Sequence, residues 1–437
     1  MTEIAPEPRR LCWVQLNEFN AELARALAER HDLPHLRRVL ALPASRLSTD
    51  DREETGFLEP WAQWVSVHTG SASSVHGIKH LGDVDKLARP QVWERLSEAG
   101  VSSGAWGVMN ATRGGAAHCR FFLPDPWTFS EPGYPAELEE LLALPRYAAR
   151  NYLKLSKRRA LRLALRLLRV VVASGIAPRL VAELPRLLGA LARFGAKHFV
   201  FISFFDYAST LLFLRYKRRF DPQLSILFMN SVAHAQHHHW TAGATGSTPQ
   251  LEFAYRYADR CLGLVEDALA PDEALLVMNG LTQTNTNHEE PWILYRPYDP
   301  ERFLAALGVD FERNEQLMTH DSHLFLASPD AREAAFQTLK SACVDGDPLF
   351  FVEPDPEDAC RLFYRVEFTR EVGDGSHIEA GGVRLATLEW LCPVVVRTGR
   401  HVPRADAFRR GIALPDELPS TAVASHVLAY FDGAERT

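Results

Sequence analysis

The chain has 437 residues, of which 46% are hydrophobic and 24% charged, a composition typical of a soluble globular protein with a sizeable core. This length allows either one large α/β domain with insertions or two domains. The formal net charge of −7 argues against a general nucleic-acid-binding protein, although it leaves room for a local basic face.

The cysteines and the N-terminus indicate the compartment. Six cysteines are scattered without a CxxC pair, at positions 12, 119, 261, 343, 360 and 392. This spacing predicts reduced thiols rather than a disulfide framework or a zinc knot.

The opening segment, MTEIAPEPRR, lacks the basic and then apolar order of a signal peptide. Because no run of about 18 uncharged apolar residues occurs, no spanning helix is predicted, and the expected location is the cytoplasm.

The first predicted element is a buried parallel strand. The run LCWVQL at 11–16 is short and wholly suited to a sheet interior. Asn17 and Glu18 follow it, and Leu23 and Leu27 then begin a helical spacing. One interpretation of the Asn17–Glu18 pair is a cap for this helix.

The segment from Leu58 to Ile78, LEPWAQWVSVHTGSASSVHGI, predicts a buried helix. Trp61, Trp64 and Val67 repeat at helical spacing, and Pro60 suits the first turn of a helix. A glycine then provides a permissive C-terminal residue before a polar turn. On this pattern alone the segment is a packed core helix.

The same segment resembles the alkaline phosphatase superfamily, nearest its type I phosphodiesterase and nucleotide pyrophosphatase branch, in which the pattern is roughly T-W-P-x-W-x-S-x-x-T-G…HGI. The residues in register are Trp61, Trp64, Ser66, Thr69, Gly70, His76, Gly77 and Ile78. In that family the residue before the first tryptophan is a Thr or Ser nucleophile. Here it is Pro60, which has no nucleophilic atom.

The resemblance also implies a metal ligand after the first strand, where the family has an aspartate. Strict register places Asn17 on that position, with Glu18 one residue later. We expect Glu18 to be the ligand, because a carboxylate binds divalent cations better than a neutral amide does. Glu59, beside the lost nucleophile position, is then a candidate general base or further ligand.

A helix at Val92–Ala99 and a second strand at Val101–Val108 are predicted next. The loop after this strand holds Asn110 and Arg113, at the sheet edge where open α/β sheets bind ligands. These two residues are candidate substrate contacts. The alternative is that their side chains only form hydrogen bonds with backbone groups of the loop.

Residues 136–197 predict a basic helical insertion. Between Arg146 and Lys197 there are thirteen Lys or Arg and one acid, Glu183. Arginines line one side of the predicted helix and aliphatic residues another, namely Arg158, Arg162, Arg166 and Arg169 beside Leu161, Leu165, Leu168 and Val172. Three interpretations are open: a lid that attracts an anionic substrate, a peripheral membrane contact through residues 150–197, or a solvated cap.

The sheet is predicted to resume at His198–Phe205 and to continue at Leu224–Met229. Four histidines then lie within six residues, at 234, 237, 238 and 239. Imidazoles at a strand end are natural metal ligands; the alternative is a polar loop whose histidines cap and hydrogen-bond. The family places D-x-x-x-H here, which implies Asn230 and His234 as ligands and leaves His237 as a spare ligand or substrate contact.

Two further segments follow in the order that the family resemblance implies: a strand at Ala274–Met278 and a segment near the C-terminus. The family follows this strand with S-D-H-G, whereas here Asn279 and Gln283 follow, which suit a sugar, a base or a water network better than zinc. The resemblance thus implies that the second metal site is lost, and the spacing of His288 does not restore it. After the last predicted core strand at 391–396, Gly399 and His401 match the family's G-x-H, whose histidine completes the first metal site.

Together these features predict an α/β fold with an alkaline-phosphatase-like, mostly parallel central sheet flanked by helices. The core would span 8–135 and 198–437, with a smaller α+β region at 289–385 and the insertion at 136–197. We expect one divalent metal, zinc before manganese or iron, bound by Glu18, Asn230, His234 and His401.

The function expected from this site is hydrolysis of a small anionic substrate (a phosphate, phosphonate or sulfate ester) by a metal-activated water. Two alternatives stay open. One is a non-catalytic descendant that binds such a ligand, and the other is a transferase associated with a membrane surface. No nucleic-acid partner is expected.

Overall fold

The computed structural model describes residues 9–49, 58–151, 155–241, 243–286, 292–317 and 320–433. The chain divides into two compact units. The first comprises Met1–Arg146, Ser156–Asn287 and Gly399–Thr437, and the second comprises Tyr147–Leu155 and His288–Thr398. The predicted limits of the insertion and of the smaller α+β region stay predictions.

The strands, numbered in chain order, are β1 Leu11–Leu16, β2 Ala44–Ser48, β3 Ser103–Val108, β4 Cys119–Pro124, β5 Leu224–Met229, β6 Ala274–Met278, β7 Thr282–Asn285, β8 Trp292–Pro297, β9 Arg313–Gln316, β10 Asp321–Phe325, β11 Cys343–Val344, β12 Asp347–Pro348, β13 Phe350–Pro354, β14 Arg361–Val366, β15 His377–Ala380, β16 Val383–Ala386, β17 Leu391–Arg397, β18 Gly399–Val402, β19 Arg404–Arg410 and β20 Glu417–Pro419.

The α-helices, numbered likewise, are α1 Ala21–Arg30, α2 Pro34–Leu40, α3 Pro60–Thr69, α4 Ser73–His76, α5 Val92–Glu98, α6 Glu139–Asn151, α7 Lys157–Ala173, α8 Ala177–Phe194, α9 His198–Phe220, α10 Ser231–His239, α11 Pro249–Glu266, α12 Pro300–Ala306, α13 Pro329–Ser341, α14 Thr387–Trp390 and α15 Val423–Asp432.

The first unit is built on an eight-stranded sheet with the order β20-β2-β19-β6-β1-β5-β3-β4. Strand β1 is parallel to both of its neighbours, β5 and β6, and every residue of β1 is buried. Only β19 runs antiparallel to the strands beside it. Helices α1, α2, α9, α10 and α11 contribute buried apolar side chains to the main core cluster. The predicted α/β class with a mostly parallel sheet is therefore confirmed.

Helix α3 forms where the tryptophan pattern predicts it. Pro60 occupies the first turn, and Gly70 ends the helix in the left-handed conformation at φ 69°. Trp64 is fully buried and stacks on His68 with the ring centroids 5.7 Å apart. The helix thus packs Trp64 into the core, next to the end of β1.

Two strand predictions are wrong. The run 198–205 is the start of helix α9, because its buried residues continue at intervals of three and four to Tyr216. Among the described residues, α9 is the one helix long and apolar enough to cross a membrane, and 67% of its most apolar stretch is buried within the protein. The run 391–396 belongs to β17, which pairs with β8 in the second unit and not with the central sheet.

The second unit has its own antiparallel sheets and its own core. One sheet has the order β13-β14-β10-β9 and the other the order β12-β11-β15-β16. Helix α13 packs Ala335 and Leu339 into a cluster that also contains Phe303, Leu324 and Leu362. Gly381 and Gly382, both with positive φ, form the turn between β15 and β16.

Candidate metal centre

Three side chains able to bind a metal ion converge where β1 and β5 end. Glu18 follows β1, His237 lies on α10 directly after β5, and His401 lies on β18. Oε2 of Glu18 is 2.7 Å from Nε2 of His237 and 3.0 Å from Nε2 of His401. Among the described residues, this Glu18–His237–His401 cluster is the one group of three or more His, Cys, Asp or Glu side chains whose ligand atoms all lie within 4.8 Å of one another.

Both imidazoles are oriented by backbone carbonyls. Nδ1 of His401 lies 2.7 Å from the carbonyl oxygen of Leu58, and Nδ1 of His237 lies 3.3 Å from that of Gly399. Because a carbonyl oxygen only accepts hydrogen bonds, each Nδ1 carries a proton and donates it. Nε2 is therefore the nitrogen available to a metal ion, and the two Nε2 atoms lie 3.3 Å apart. Metal-binding histidines are commonly held in this way.

Glu18 is held in its charged form. The residue is 3% exposed. Burial raises the pKa of its carboxyl, but the imidazoles of His237 and His401 lower it by more, so that the pKa lies well below its usual range. The backbone of Glu18 is in the left-handed region at φ 54°, which is uncommon for a residue with a side chain. Such a conformation persists where the surroundings stabilise it, and at Glu18 it accompanies the carboxylate's place in the cluster.

A shell of amides orients the carboxylate. Asn17 donates from Nδ2 to Oε1 of Glu18 over 2.9 Å, and Gln283 donates from Nε2 to Oε2. Trp64 donates from its indole nitrogen to Oδ1 of Asn17 over 2.9 Å, which fixes the orientation of that amide. Gln236 donates to the backbone carbonyl of Glu18 over 2.7 Å. Asn17 and Gln283 therefore position the carboxylate of Glu18.

His234 and Asn230, predicted as ligands, lie outside the Glu18–His237–His401 cluster. The His234 ring is buried with its centroid 5.0 Å from that of His198, and its Nδ1 has no hydrogen-bond partner among the described residues. Burial, then the nearby His198 and His237 imidazoles, lower the pKa of His234 to about 3. Oδ1 of Asn230 accepts a hydrogen bond from Asn17 over 2.8 Å. His237, predicted as a spare ligand or substrate contact, takes the place expected of His234.

Glu59 lies on the far side of His401 from Glu18. Its Oε2 is 3.6 Å from Nδ1 of His401, the nitrogen that already donates to Leu58. A general base would need to reach the Nε2 side, where the ligand atoms converge. This position suits orientation of the His401 ring better than the predicted role of general base or further ligand.

Of the predicted substrate contacts, Asn110 and Asn279 hydrogen-bond to backbone groups, and Arg113 packs on an aromatic ring. Asn110 is fully buried; it accepts from the backbone of Gly82 over 2.9 Å and donates to two carbonyl oxygens. Asn279 exchanges hydrogen bonds with the backbone of Phe19 and Asp406. Arg113 lies over the ring of Tyr134, 4.3 Å from its centroid. His288 lies outside the described residues.

A buried Ser66–His76 pair resembles a nucleophile and its base, but its protonation is wrong for that role. The Ser66 hydroxyl lies 3.0 Å from Nε2 of His76. Nδ1 of His76 accepts a hydrogen bond from the backbone N–H of Ile78 over 3.1 Å. In a neutral imidazole the other nitrogen then carries the proton, so His76 donates to Ser66. The pair holds the end of α4 in place and does not activate the serine.

Gly399 lies so close to Gln236 and Gln283 that a residue with a side chain would clash with them. A Cβ on this residue would lie 2.8 Å from the carbonyl oxygen of Gln236 and would overlap the side-chain oxygen of Gln283. We expect Gly399→Ala to displace Gln283 and the carbonyl that accepts from His237, and to weaken zinc binding by about 10–100-fold, as changes in outer-shell partners do. Isothermal titration with zinc measures this loss. Gly189→Ala is the matched control, because nothing lies within 4 Å of its added Cβ; equal zinc affinity in both variants would contradict the prediction.

Asp206 fixes the start of α10, the helix that carries His237. Its Oδ2 accepts the backbone N–H groups of Asn230 and Ser231 over 3.0 and 2.7 Å. Burial raises the pKa of the Asp206 carboxyl from its usual range to about 6. The folded state therefore binds this proton more tightly than the unfolded state, and stability contributed by the group declines as the pH rises from about 4 to about 6.

Asp206→Asn should remove this dependence on pH. The shift of about two units corresponds to on the order of 3 kcal/mol in the free energy of unfolding. We expect the wild type to lose that much relative to Asp206→Asn between pH 4 and pH 7, as measured by urea unfolding at each pH. Parallel pH profiles for the two proteins would show that the carboxyl is not titrating in this range.

No protein-family model matches the chain, and no curated protein matches it either. The structure is similar to that of phosphonoacetate hydrolase from Sinorhizobium meliloti 1021, at 15% sequence identity and a TM-score of 0.44, over 97% of this chain and 96% of that chain. It is also similar to human ectonucleotide pyrophosphatase/phosphodiesterase 5, at 11% identity and a TM-score of 0.47, over 97% and 95% of the two chains.

Proposed function

We propose that the chain is a metal-dependent hydrolase with one divalent ion, zinc before manganese or iron, held by Glu18, His237 and His401. The observation that carries the proposal is the convergence of both Nε2 atoms on one carboxylate oxygen, at 2.7 and 3.0 Å. Two imidazoles and one glutamate are a donor set that catalytic zinc uses, with a fourth position open.

The donors suit a divalent ion in charge as well as in type. Glu18 is ionised, and each histidine presents Nε2 because its Nδ1 donates to a carbonyl. A zinc ion bound here supplies a Lewis acid and lowers the pKa of a water ligand. One carboxylate and two neutral imidazoles leave a net charge of about +1 on such a centre, which favours an anionic substrate.

The chain offers no covalent nucleophile at the positions where the resemblance implies one. Pro60 replaces the family's Thr or Ser, and the Ser66 hydroxyl accepts a hydrogen bond from His76, whose Nε2 already carries a proton and therefore cannot take up the serine proton. Direct attack by water, without a covalent enzyme intermediate, is therefore the mechanism that these residues support. From the family resemblance we expect a phosphate, phosphonate or sulfate ester as substrate.

A reconstitution experiment tests the activity. Protein stripped with a chelator would be loaded with zinc, manganese or ferrous iron and assayed on p-nitrophenyl phosphate, bis(p-nitrophenyl) phosphate, p-nitrophenyl phenylphosphonate and p-nitrophenyl sulfate. We expect metal-dependent turnover of at least one ester, lost in His401→Ala. Stoichiometric zinc without turnover of any ester would favour the alternative, a non-catalytic descendant that binds an anionic ligand through the same centre.

A further inference from the structure

Helix α7 exposes a continuous apolar stripe. Leu161, Leu165, Leu168 and Val172 recur at intervals of four, three and four residues, which places them on one face. Their exposed fractions are 62%, 49%, 54% and 59%, and no residue of the helix is buried. Apolar side chains this exposed, in an unbroken row, mark a surface that binds a partner or a membrane.

Arginines form a second row beside the apolar stripe. Arg158, Arg162, Arg166 and Arg169 are all exposed, and within the described ranges none of them has an ion-pair partner. The helix contains no Asp or Glu, although the chain as a whole has a formal net charge of −7. Positive charge is therefore concentrated on the helix that exposes the stripe.

The opposite face of α7 is attached to the protein. Leu167, Val170 and Val171 are partly buried against the core cluster of the first unit. The rotation of the helix about its axis is thus set by packing, and the Leu161–Val172 stripe faces outward for that reason. The next two helices expose apolar residues as well, with Val181 and Leu188 on α8 at 61% and 63%, and Phe201 and Phe205 on α9 at 46% and 44%.

We propose that α7 binds the surface of an anionic lipid bilayer, with its apolar stripe in the boundary between headgroups and acyl chains. A row of arginines beside a row of aliphatic residues matches that boundary, because guanidinium groups contact lipid phosphates while leucines enter the apolar layer. A protein partner would need a groove with acidic residues along one edge, whereas any anionic bilayer provides both environments along the whole helix. This proposal does not depend on the metal centre.

Vesicle co-sedimentation tests the proposal on the full-length chain. We expect binding to vesicles of phosphatidylcholine and phosphatidylglycerol (1:1) in low salt, at least about tenfold weaker binding in 0.5 M NaCl, and none to phosphatidylcholine alone. The variant R158Q/R162Q/R166Q/R169Q should bind on the order of several hundredfold more weakly, since each of the four arginines near the surface contributes on the order of fivefold. L161S/L165S/L168S should lose at least about tenfold, because its aliphatic groups no longer enter the bilayer.

A matched control carries the same change of net charge elsewhere. R46Q/R219Q/R370Q/R384Q removes four exposed arginines outside α7 and should keep the wild-type affinity for vesicles. Circular dichroism and urea unfolding check that each variant is folded. Absence of binding to anionic vesicles, or equal loss in both arginine variants, would overturn the proposal. A wild-type dimer that L161S/L165S/L168S converts to a monomer, without vesicle binding, would instead assign the stripe to a second copy of the chain.

Discussion

Replacing His237 by alanine is expected to abolish stoichiometric binding of a divalent metal ion. His237 provides one of two imidazoles in a three-residue ligand set, 2.7 Å from Glu18. Its loss should weaken zinc binding by more than the roughly 10–100-fold that outer-shell changes cause. Elemental mass spectrometry on protein purified without a chelator or a histidine tag measures the metal content directly.

Two other histidines of α10 are the controls for this result. His239→Ala removes an imidazole whose ring packs on Phe199 and should leave the metal content unchanged. His234→Ala should also keep the metal, because His234 packs on His198 and not on Glu18. Loss of metal in His234→Ala with retention in His237→Ala would restore the ligand pair that the family resemblance implies and would refute the assignment of His237.

Glu18→Gln is expected to remove the stabilisation of the fold by zinc. The substitution keeps the shape of the side chain but removes the only negative charge of the Glu18–His237–His401 cluster. In the wild type, free zinc at a thousand times its dissociation constant should raise the free energy of unfolding by about 4 kcal/mol. Urea unfolding with and without zinc should show this increase in the wild type and little of it in Glu18→Gln.

Glu59→Gln serves as the control for the loss of a carboxylate near His401. Its Oε2 lies 3.6 Å from Nδ1 of His401, away from the converging ligand atoms. We expect this variant to retain most of the zinc-dependent increase in stability. If Glu59→Gln abolished the increase while Glu18→Gln preserved it, the metal would lie on the other side of the His401 ring.

The sheet and two of the three residues of the Glu18–His237–His401 cluster could be predicted because their signals are local. Apolar runs of six residues predicted β1 and β5 within the central sheet. Ligand chemistry favoured Glu18 over Asn17, and the structure places Glu18 among the imidazoles with Asn17 supporting it. The G-x-H spacing indicated His401, and the close approach of Gln283 to Gly399 gives the physical reason for the glycine.

The choice between His234 and His237 could not be made from the sequence. Four histidines in six residues place imidazoles in several directions around a helix. Which of them faces Glu18 depends on the rotation of α10, and that is set by distant packing against His198 on one side and the carbonyl of Gly399 on another. The role of Gln236, which donates to the carbonyl of Glu18, had no sequence signal for the same reason.

Several of the polar strand-end residues predicted to bind substrate form hydrogen bonds within the protein. Asn110 and Asn279 are each used by backbone groups of neighbouring loops. Gln283 does contact the cluster, but through Glu18. The position of a polar residue at a strand end therefore indicates that it lies near the site. It does not show whether the residue contacts a ligand or stabilises a loop.

Anomalous diffraction at the zinc absorption edge, from crystals of the zinc-loaded protein, tests the central claim most directly. We expect one peak at full occupancy, bonded to an oxygen of Glu18 and to Nε2 of both His237 and His401 at about 2.0–2.2 Å. A peak bonded to His234 or Asn230 instead, or no peak at a zinc concentration that saturates binding in solution, would contradict it.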